Sequence, residues 1–295
     1  MEWLSSFPHM EDSNLRDLKK AIDDGFRAFT RAYGDSIEGF FEPLQFFLIQ
    51  SERLLTNTPW PVVLLAVALI AWVASRNWTI VGGSIVTLLL IGYFDMWNDT
   101  MKTISMIFVC TVISILFGIP IGIAMSRSNR LQAAVNPVLD VMQTMPSFVY
   151  LIPVVMLLGI GKVPGLIAVV IYALPPMIRL TNLGIRLVDR DVLEAADAFG
   201  SSNWQKLKDV QMPLALPTIM AGINQTIMMA LAMVVIASMI GVQGLGQPVL
   251  RAISNQYFTL GIFNGLAIVG IAIIFDRISQ AYGKRLQRHS VTLHG

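Results

Sequence analysis

Long apolar runs alternate with short polar segments along most of the chain. A bilayer core of about 30 Å needs roughly 20 apolar residues per helix. Seven runs approach or meet that requirement: 58–75, 79–94, 101–126, 136–160, 163–183, 215–240 and 258–281. The first two are short and separated only by Arg76, Asn77 and Trp78, which predicts a tight helical hairpin or two helices with little tilt. Ahead of them, Leu15, Leu18, Ile22, Phe26, Phe29 and Tyr33 recur at steps of three and four, the period of an amphipathic helix. A second apolar cluster, Phe40 to Gln50, is interrupted by Pro43 and too short to span. The pattern predicts an all-α polytopic membrane protein of about seven transmembrane helices behind a surface-lying amphipathic tail.

Composition agrees. Of the 295 residues 55% are hydrophobic and 14% charged, and the mean hydropathy is +0.64; soluble domains carry about 25% charged residues. A net charge of +2 gives no electrostatic footprint for nucleic acid. Lys and Arg divide by side of the membrane. One set of loops and span ends holds Arg76, Arg127, Arg130, Arg179, Arg186, Arg190, Lys206, Lys208, Arg277, Lys284, Arg285 and Arg288; the other holds Lys102, Lys162 and Arg251. Twelve against three places 184–214 and the C-terminus in the cytoplasm and residues 1–57 outside. That tail, with ten acids against six bases, is expected to lie on the outer membrane surface or pack on the bundle, as an anchor or as a contact for an external partner. The first 30 residues contain acids and no apolar core, so no cleavable signal peptide is expected there. Cys110, the single cysteine, reads as a small buried hydrophobe.

Between two apolar runs lies a soluble stretch, EAADAFGSSNWQKLKDVQMP, residues 194–213. Asp191 with Glu194 forms an N-cap and capping-box pattern, Ala195, Ala196 and Ala198 favour helix, and Gly200 stands where a left-handed residue ends one. Ser202 with Gln205 repeats the capping pattern, and Pro213 limits a second helix expected to reach about Val210. Two short helices around a glycine corner present either a compact knob for a soluble protein or a plain interfacial loop. A DNA-reading helix pair ranks behind both, since five acids against three bases from Asp189 to Asp209 are the wrong sign for phosphate. Within the spans, Pro120, Pro146, Pro153, Pro175 and Pro176 supply bends or static packing, and Gly118 with Gly122 and Gly261 with Gly265 allow close helix contact. Asn224, Gln225 and Thr226 interrupt the sixth run and are expected to face the bundle interior. No His, Cys or Ser constellation accompanies Asp140 or Asp276, so an enzyme site is not indicated, and no G-x-x-x-x-G-K-[ST] loop is present to bind ATP.

The run Glu194-Ala195-Ala196 followed by Gly200, Val210 and Pro213 resembles the cytoplasmic signature loop of binding-protein-dependent ABC importer permeases, where Ile usually stands in place of Val210. DVMQTMPSFVYLIP (140–153), GIGKVPG (159–165), YALPPMIRLTNLGIR (172–186), INQTIMMALAMVVIASMIG (223–241) and GLGQPVLRAI (244–253) are similar to the glycine betaine/proline betaine branch of that family. The likeness covers about residues 60–285.

It implies a type I importer permease fold in the bacterial inner membrane. The expected units are a tail over 1–57, two first spans over 58–94, a permease core over 95–283 with a coupling loop at 189–213, and a cytoplasmic tail over 284–295. The implied partners are a second permease copy, two ATPase subunits that bind ATP and Mg in place of this chain, and an external solute-binding protein. In the coupling loop, Glu194 would meet basic groups of the ATPase, Ala195 and Ala196 would allow close approach, and Gly200 would make the corner. The implied cargo is glycine betaine or a related osmoprotectant, with choline, carnitine or proline as alternatives. An ion-coupled secondary transporter is the rival class. A quaternary ammonium group is commonly held by aromatic faces, each contributing about 0.5 to 2 kcal/mol, which makes Phe148, Tyr150 and Tyr172 candidates beside Asn224, Gln225 and Thr226.

Overall fold

Helix breaks fall at proline and glycine, as at Pro146 and Gly200, but also at Arg76–Asn77, Ser128 and Gln256, which involve neither, and nearly everything between the breaks is helical. The computed structural model describes residues 9–291; the first eight residues of the tail and the last four, His294 among them, lie outside the described residues. The order is α1 (Asp12–Asn57), α2 (Trp60–Ser75), α3 (Trp78–Tyr93), α4 (Trp97–Arg127), α5 (Asn129–Thr144), a 3-10 turn (Ser147–Tyr150), α6 (Leu151–Leu158) and α7 (Lys162–Arg186). After these come α8 (Arg190–Ala198), α9 (Asn203–Gln205), a π-helical segment (Lys206–Gln211), α10 (Met212–Ala237), α11 (Gly246–Asn255) and α12 (Phe258–Val291).

All seven apolar runs are helical, but they are not seven alike spans. Among the described residues, four helical stretches have the length and composition to cross a bilayer: α4, α7, the unbroken run Asn203–Ile240, and Phe258–Arg285 of α12. Two further candidates are bent pairs, Ser36–Asn57 with α2 at 107° and α5 with Ser147–Leu158 at 109°, while α3 is a shorter apolar helix. The run 136–160 is therefore broken. Met145 precedes Pro146 and is pushed to an extended conformation, φ −66 and ψ 131, because the proline ring disfavours helix in the residue before it. Pro120, Pro153, Pro175 and Pro176 are instead carried inside helices.

Pro43 likewise fails to divide the tail, which is one helix of 46 residues and not two. The second half of α1 has lateral partners. Leu48 is 1% exposed, Phe47 lies 6.5 Å from Phe108 of α4, and Lys162 at the start of α7 pairs with Glu52 at 2.7 Å. In the first half, Leu18, Ile22, Phe29 and Tyr33 of the apolar stripe remain exposed. The α2–α3 hairpin closes as its sequence suggests: Arg76 takes a left-handed conformation, Asn77 Oδ1 accepts from Thr79 N at 2.8 Å, and Trp72 and Trp78 stack at 4.2 Å.

The centre of the bundle is α4, α7 and α10. Lipid tails are as apolar as leucine, so close packing rather than water exclusion holds such helices together. A Cβ on Gly118 would stand 2.6 Å from Met177 Cγ, and one on Gly122 would stand 2.8 Å from Ile178 O. The expected pair Gly118 and Gly122 is thus the seam of α4 on α7. Of the other pair, Gly261 touches Ala252 of α11 while Gly265 faces open space.

Gly122→Leu is expected to lower the thermal unfolding temperature of the purified protein, at an overpacking cost of about 1–3 kcal/mol. Gly265→Ala, in open space within α12, should not lower it; equal melting of the two variants would contradict the assigned seam.

Candidate functional site

The polar segment begins where α7 ends. Arg186 fixes that end by donating from Nε to Asn182 Oδ1 at 3.0 Å, from Nη1 to Asn129 Oδ1 at 2.8 Å and from Nη2 to Met125 O at 2.8 Å. The N-cap of α8 is Asp189, whose Oδ1 accepts from Asp191 N at 3.0 Å. The expected cap, Asp191, lies two residues further on, within the first turn, where its charge still meets the positive helix end. Glu194 consequently sits on the exposed face and not in a capping box.

At the far end Gly200 has φ +77, a backbone region that a β-branched residue enters only with strain. Gly200 N donates to Asp197 O at 2.9 Å and Ser201 N to Ala196 O at 3.0 Å, the paired bonds of a Schellman ending. The second capping box forms as expected: Gln205 N donates to Ser202 Oγ at 3.3 Å and Ser202 N to Gln205 Oε1 at 2.9 Å.

Beyond Gln205 the chain departs from expectation. The second helix does not end near Val210 but passes through the π segment into α10, giving one run of 38 residues, Asn203–Ile240. Pro213 lies in the first turn of α10. It offers no N–H to the carbonyl four residues back and its ring crowds that carbonyl, and the wider π turn before it accommodates both. An ion pair between Lys206 and Asp197 ties α8 to this turn, and Arg127 Nη2 donates to Asn203 O at 3.1 Å from the end of α4.

Of the two alanines, Ala195 is exposed whereas Ala196, 9% exposed, packs inward and seats α8. The outward surface is completed by residues to which sequence reasoning gave no role, Phe199 at 92% and Trp204 at 66% exposure. Bulky aromatics beside a helix-ending glycine in a polar stretch were the available signal.

The membrane-embedded candidates separate. Successive helix residues point about 100° apart, so Asn224, Gln225 and Thr226 do not share a face. Asn224 Nδ2 donates to Asp276 Oδ1 of α12 at 2.9 Å, and Ser279 Oγ donates to Asn224 Oδ1 at 2.6 Å. Gln280 Nε2 adds a third bond, to Asp276 Oδ1 at 2.7 Å. Thr226 is fully buried and its hydroxyl has no partner among the described groups. Gln225, pointing between Asn224 and Thr226, is exposed and does not face the interior of the chain. Tyr150 and Tyr172 come together edge to face at 6.2 Å, with the Tyr150 hydroxyl donating to Met142 O. Phe148, 56% exposed, stands on the same 3-10 turn as Tyr150 but not in that ring pair.

Comparison with known proteins matches residues 114–288 to the family of binding-protein-dependent transport system inner membrane components. The chain is 43% identical over 293 residues, 96% of its length and 82% of the relative's, to the glycine betaine/proline betaine transport system permease protein of Escherichia coli K12. It is 49% identical over 229 residues, 77% of its length and 81% of the relative's, to the glycine betaine/carnitine transport permease protein of Listeria monocytogenes. With the glycine betaine transport system permease protein of Bacillus subtilis it shares 46% identity over 89% of this chain and 93% of the other. Among solved structures, a chain of the MetNI methionine ABC transporter in an inward-facing crystal form superposes with a TM-score of 0.57 at 18% identity, covering 62% of this chain and 92% of that one.

Asp276→Leu removes the acceptor that Asn224 and Gln280 share and should cost on the order of 1 kcal/mol in thermal unfolding. Asp276→Asn keeps an acceptor oxygen and should cost less; indistinguishable melting of Leu, Asn and parent proteins would show that the network contributes nothing to stability.

Proposed function

Because the chain belongs to the family of binding-protein-dependent transport system inner membrane components, we propose that it is the permease of an ATP-driven importer for glycine betaine or a related quaternary amine. Family membership makes it a multi-pass inner-membrane transport subunit and not an enzyme, with a type I importer permease fold whose ATPase is a separate subunit. The observation that carries the solute class is the near full-length likeness to permeases named for glycine betaine. Choline, carnitine and proline are the neighbouring alternatives.

The proposed assembly holds two copies of this chain, two ATPase subunits that bind ATP and Mg, and an external solute-binding protein. The tail over 1–57 lies on the external side, spans over 58–94 precede a core over 95–283, and 284–295 is cytoplasmic. Residues 189–213 form the contact with the ATPase. Phe199 and Trp204 fill the partner's cleft, Glu194 meets its basic groups, and Ala195 permits close approach, while Ala196 and Gly200 hold the shape of the corner.

Continuity of Asn203–Ile240 supplies the transmission. A push on the corner moves α10 directly, with no flexible joint between, and the Asn224–Asp276 bond carries α12 along. Alternating access requires such rocking of packed helices about a midplane site. Gln225, on the outward face of α10, and Phe148, Tyr150 and Tyr172 are the groups proposed to border the path of the solute.

Reconstituted vesicles test this reading. Uptake of glycine betaine should require ATP on the side that represents the cytoplasm, and uptake driven by an ion gradient without ATP would reject the importer. Gly200→Val, strained by roughly 1–2 kcal/mol at its left-handed position, should reach the membrane yet lose most coupling of ATP hydrolysis to uptake. Gly200→Asn, which tolerates that conformation, should retain most of it; full transport by the valine variant would remove the corner from the mechanism.

A further inference from the structure

Between α2, α10 and α12 lies a cavity of about 490 Å³. Leu69 and Val73 of α2, Ile223 and Ile227 of α10, and Phe275 and Tyr282 of α12 are among its walls. From Phe275 to Tyr282 the wall rises about 10 Å at 1.5 Å per residue, a fraction of one leaflet. Water needs two to four polar partners to occupy such a space, and these walls offer little beyond the Tyr282 hydroxyl and the Ser279 hydroxyl, which is already bonded to Asn224. Leu69 and Val73 are 58% and 50% exposed, so the slot opens sideways to whatever surrounds the bundle. In a bilayer that is acyl chain.

One end of the slot is different in kind. Arg285 follows Tyr282 by three positions on the same face of α12, and its Nη1 donates to the backbone oxygen of Val73 at 2.7 Å, within the cavity wall. Arg76 ends α2 three residues beyond Val73, in a left-handed conformation that places its guanidinium 5.8 Å from the Trp72 ring. Lys284 is exposed beside Arg285. The cations gather where the two helices leave the bundle together, on the side that holds most of the chain's Lys and Arg. A zwitterionic lipid would fill the slot but bring its own cation to these charges. A second copy of this chain would have to bury them.

We propose that the α2–α10–α12 slot binds one anionic phospholipid, an acyl chain lying along Ile223 and Ile227 and the phosphate held between Arg76 and Arg285. This site is separate from the solute path and from the loop at 189–213. It joins α2, which precedes the family-matched region, to α10 and α12 within it. The lipid would therefore act as a wedge between the outer hairpin and the core. Charge supplies the selectivity, because acyl chains gain little by moving from lipid to an apolar wall; each basic group near the surface contributes about a fivefold preference.

Native mass spectrometry of the full chain in detergent, titrated with palmitoyl-oleoyl phosphatidylglycerol or phosphatidylcholine, tests the site without any transport assay. Phosphatidylglycerol should bind more tightly. Arg76→Gln and Arg285→Gln should each weaken it about fivefold and leave phosphatidylcholine unchanged. Leu69→Trp, made from an exposed position so that folding is spared, should fill the slot and displace both lipids. Equal binding of the two lipids by the parent protein would overturn the proposal, as would unchanged phosphatidylglycerol binding in the three variants. A shift of oligomeric state by Leu69→Trp with lipid binding unaltered would reassign the face to a protein contact and overturn it equally.

Discussion

Inside hydrocarbon a backbone amide has no water to bond, so a spanning chain keeps its hydrogen bonds within helices and can leave the helical path only where the freed groups find another partner. The shape of this molecule follows from how few such places exist and what each one uses. At Arg76 and Asn77 a side-chain oxygen takes over a freed N–H. At Met145 and Pro146 the proline has no N–H to satisfy. Beyond α10, Gly244 lies close against α4 and Leu245 N donates to Thr103 Oγ1 at 2.9 Å, so a break between helices is closed by a threonine 142 residues away. At 187–202 the chain makes a long polar excursion, and there two caps, at Asp189 and Ser202, serve exposed backbone groups.

Between breaks, helices stay together by shape and by a few polar bonds. The Gly118–Gly122 seam lets α4 approach α7 to backbone distance. The Asn224–Asp276–Ser279 bonds join α10 to α12 where leucines would give no directional preference. These two devices are complementary. The first sets spacing and the second sets rotation, because a hydrogen bond on a helix face is lost when the helix turns by one residue.

Much of this is legible in the residues. Period and length give α4, α7, α10 and α12; the glycine at 200 and the Ser202–Gln205 pair give the corner in detail. Prolines defeat the same reasoning. Pro43, Pro120, Pro146, Pro153, Pro175 and Pro176 are chemically alike, yet of these only Pro146 sits at a sharp break, and the residue type alone does not tell them apart. The cap at Asp189 displaces the one expected at Asp191 because two acids two residues apart compete for the same helix end. Gln225 cannot face inward with both its neighbours, since consecutive positions on a helix diverge by about 100°. The exposed aromatics of the corner, Phe199 and Trp204, are hidden because a large apolar side chain in a greasy sequence draws no notice until its surroundings prove to be polar.

The uninterrupted run from Asn203 to Ile240 measures about 57 Å at 1.5 Å per residue, nearly twice the thickness of a bilayer core. Gly222, near its middle, rests on Leu180, where an added Cβ would stand 3.1 Å from that residue's Cβ. A beam supported near its centre is a seesaw. Any tilt that lowers Trp204 lifts Ile240, so closing one mouth of the bundle and opening the other need not be two coordinated events. In the proposed rocking they are the two ends of one rotation about Gly222, which carries a hydrogen atom where any other amino acid would place a carbon.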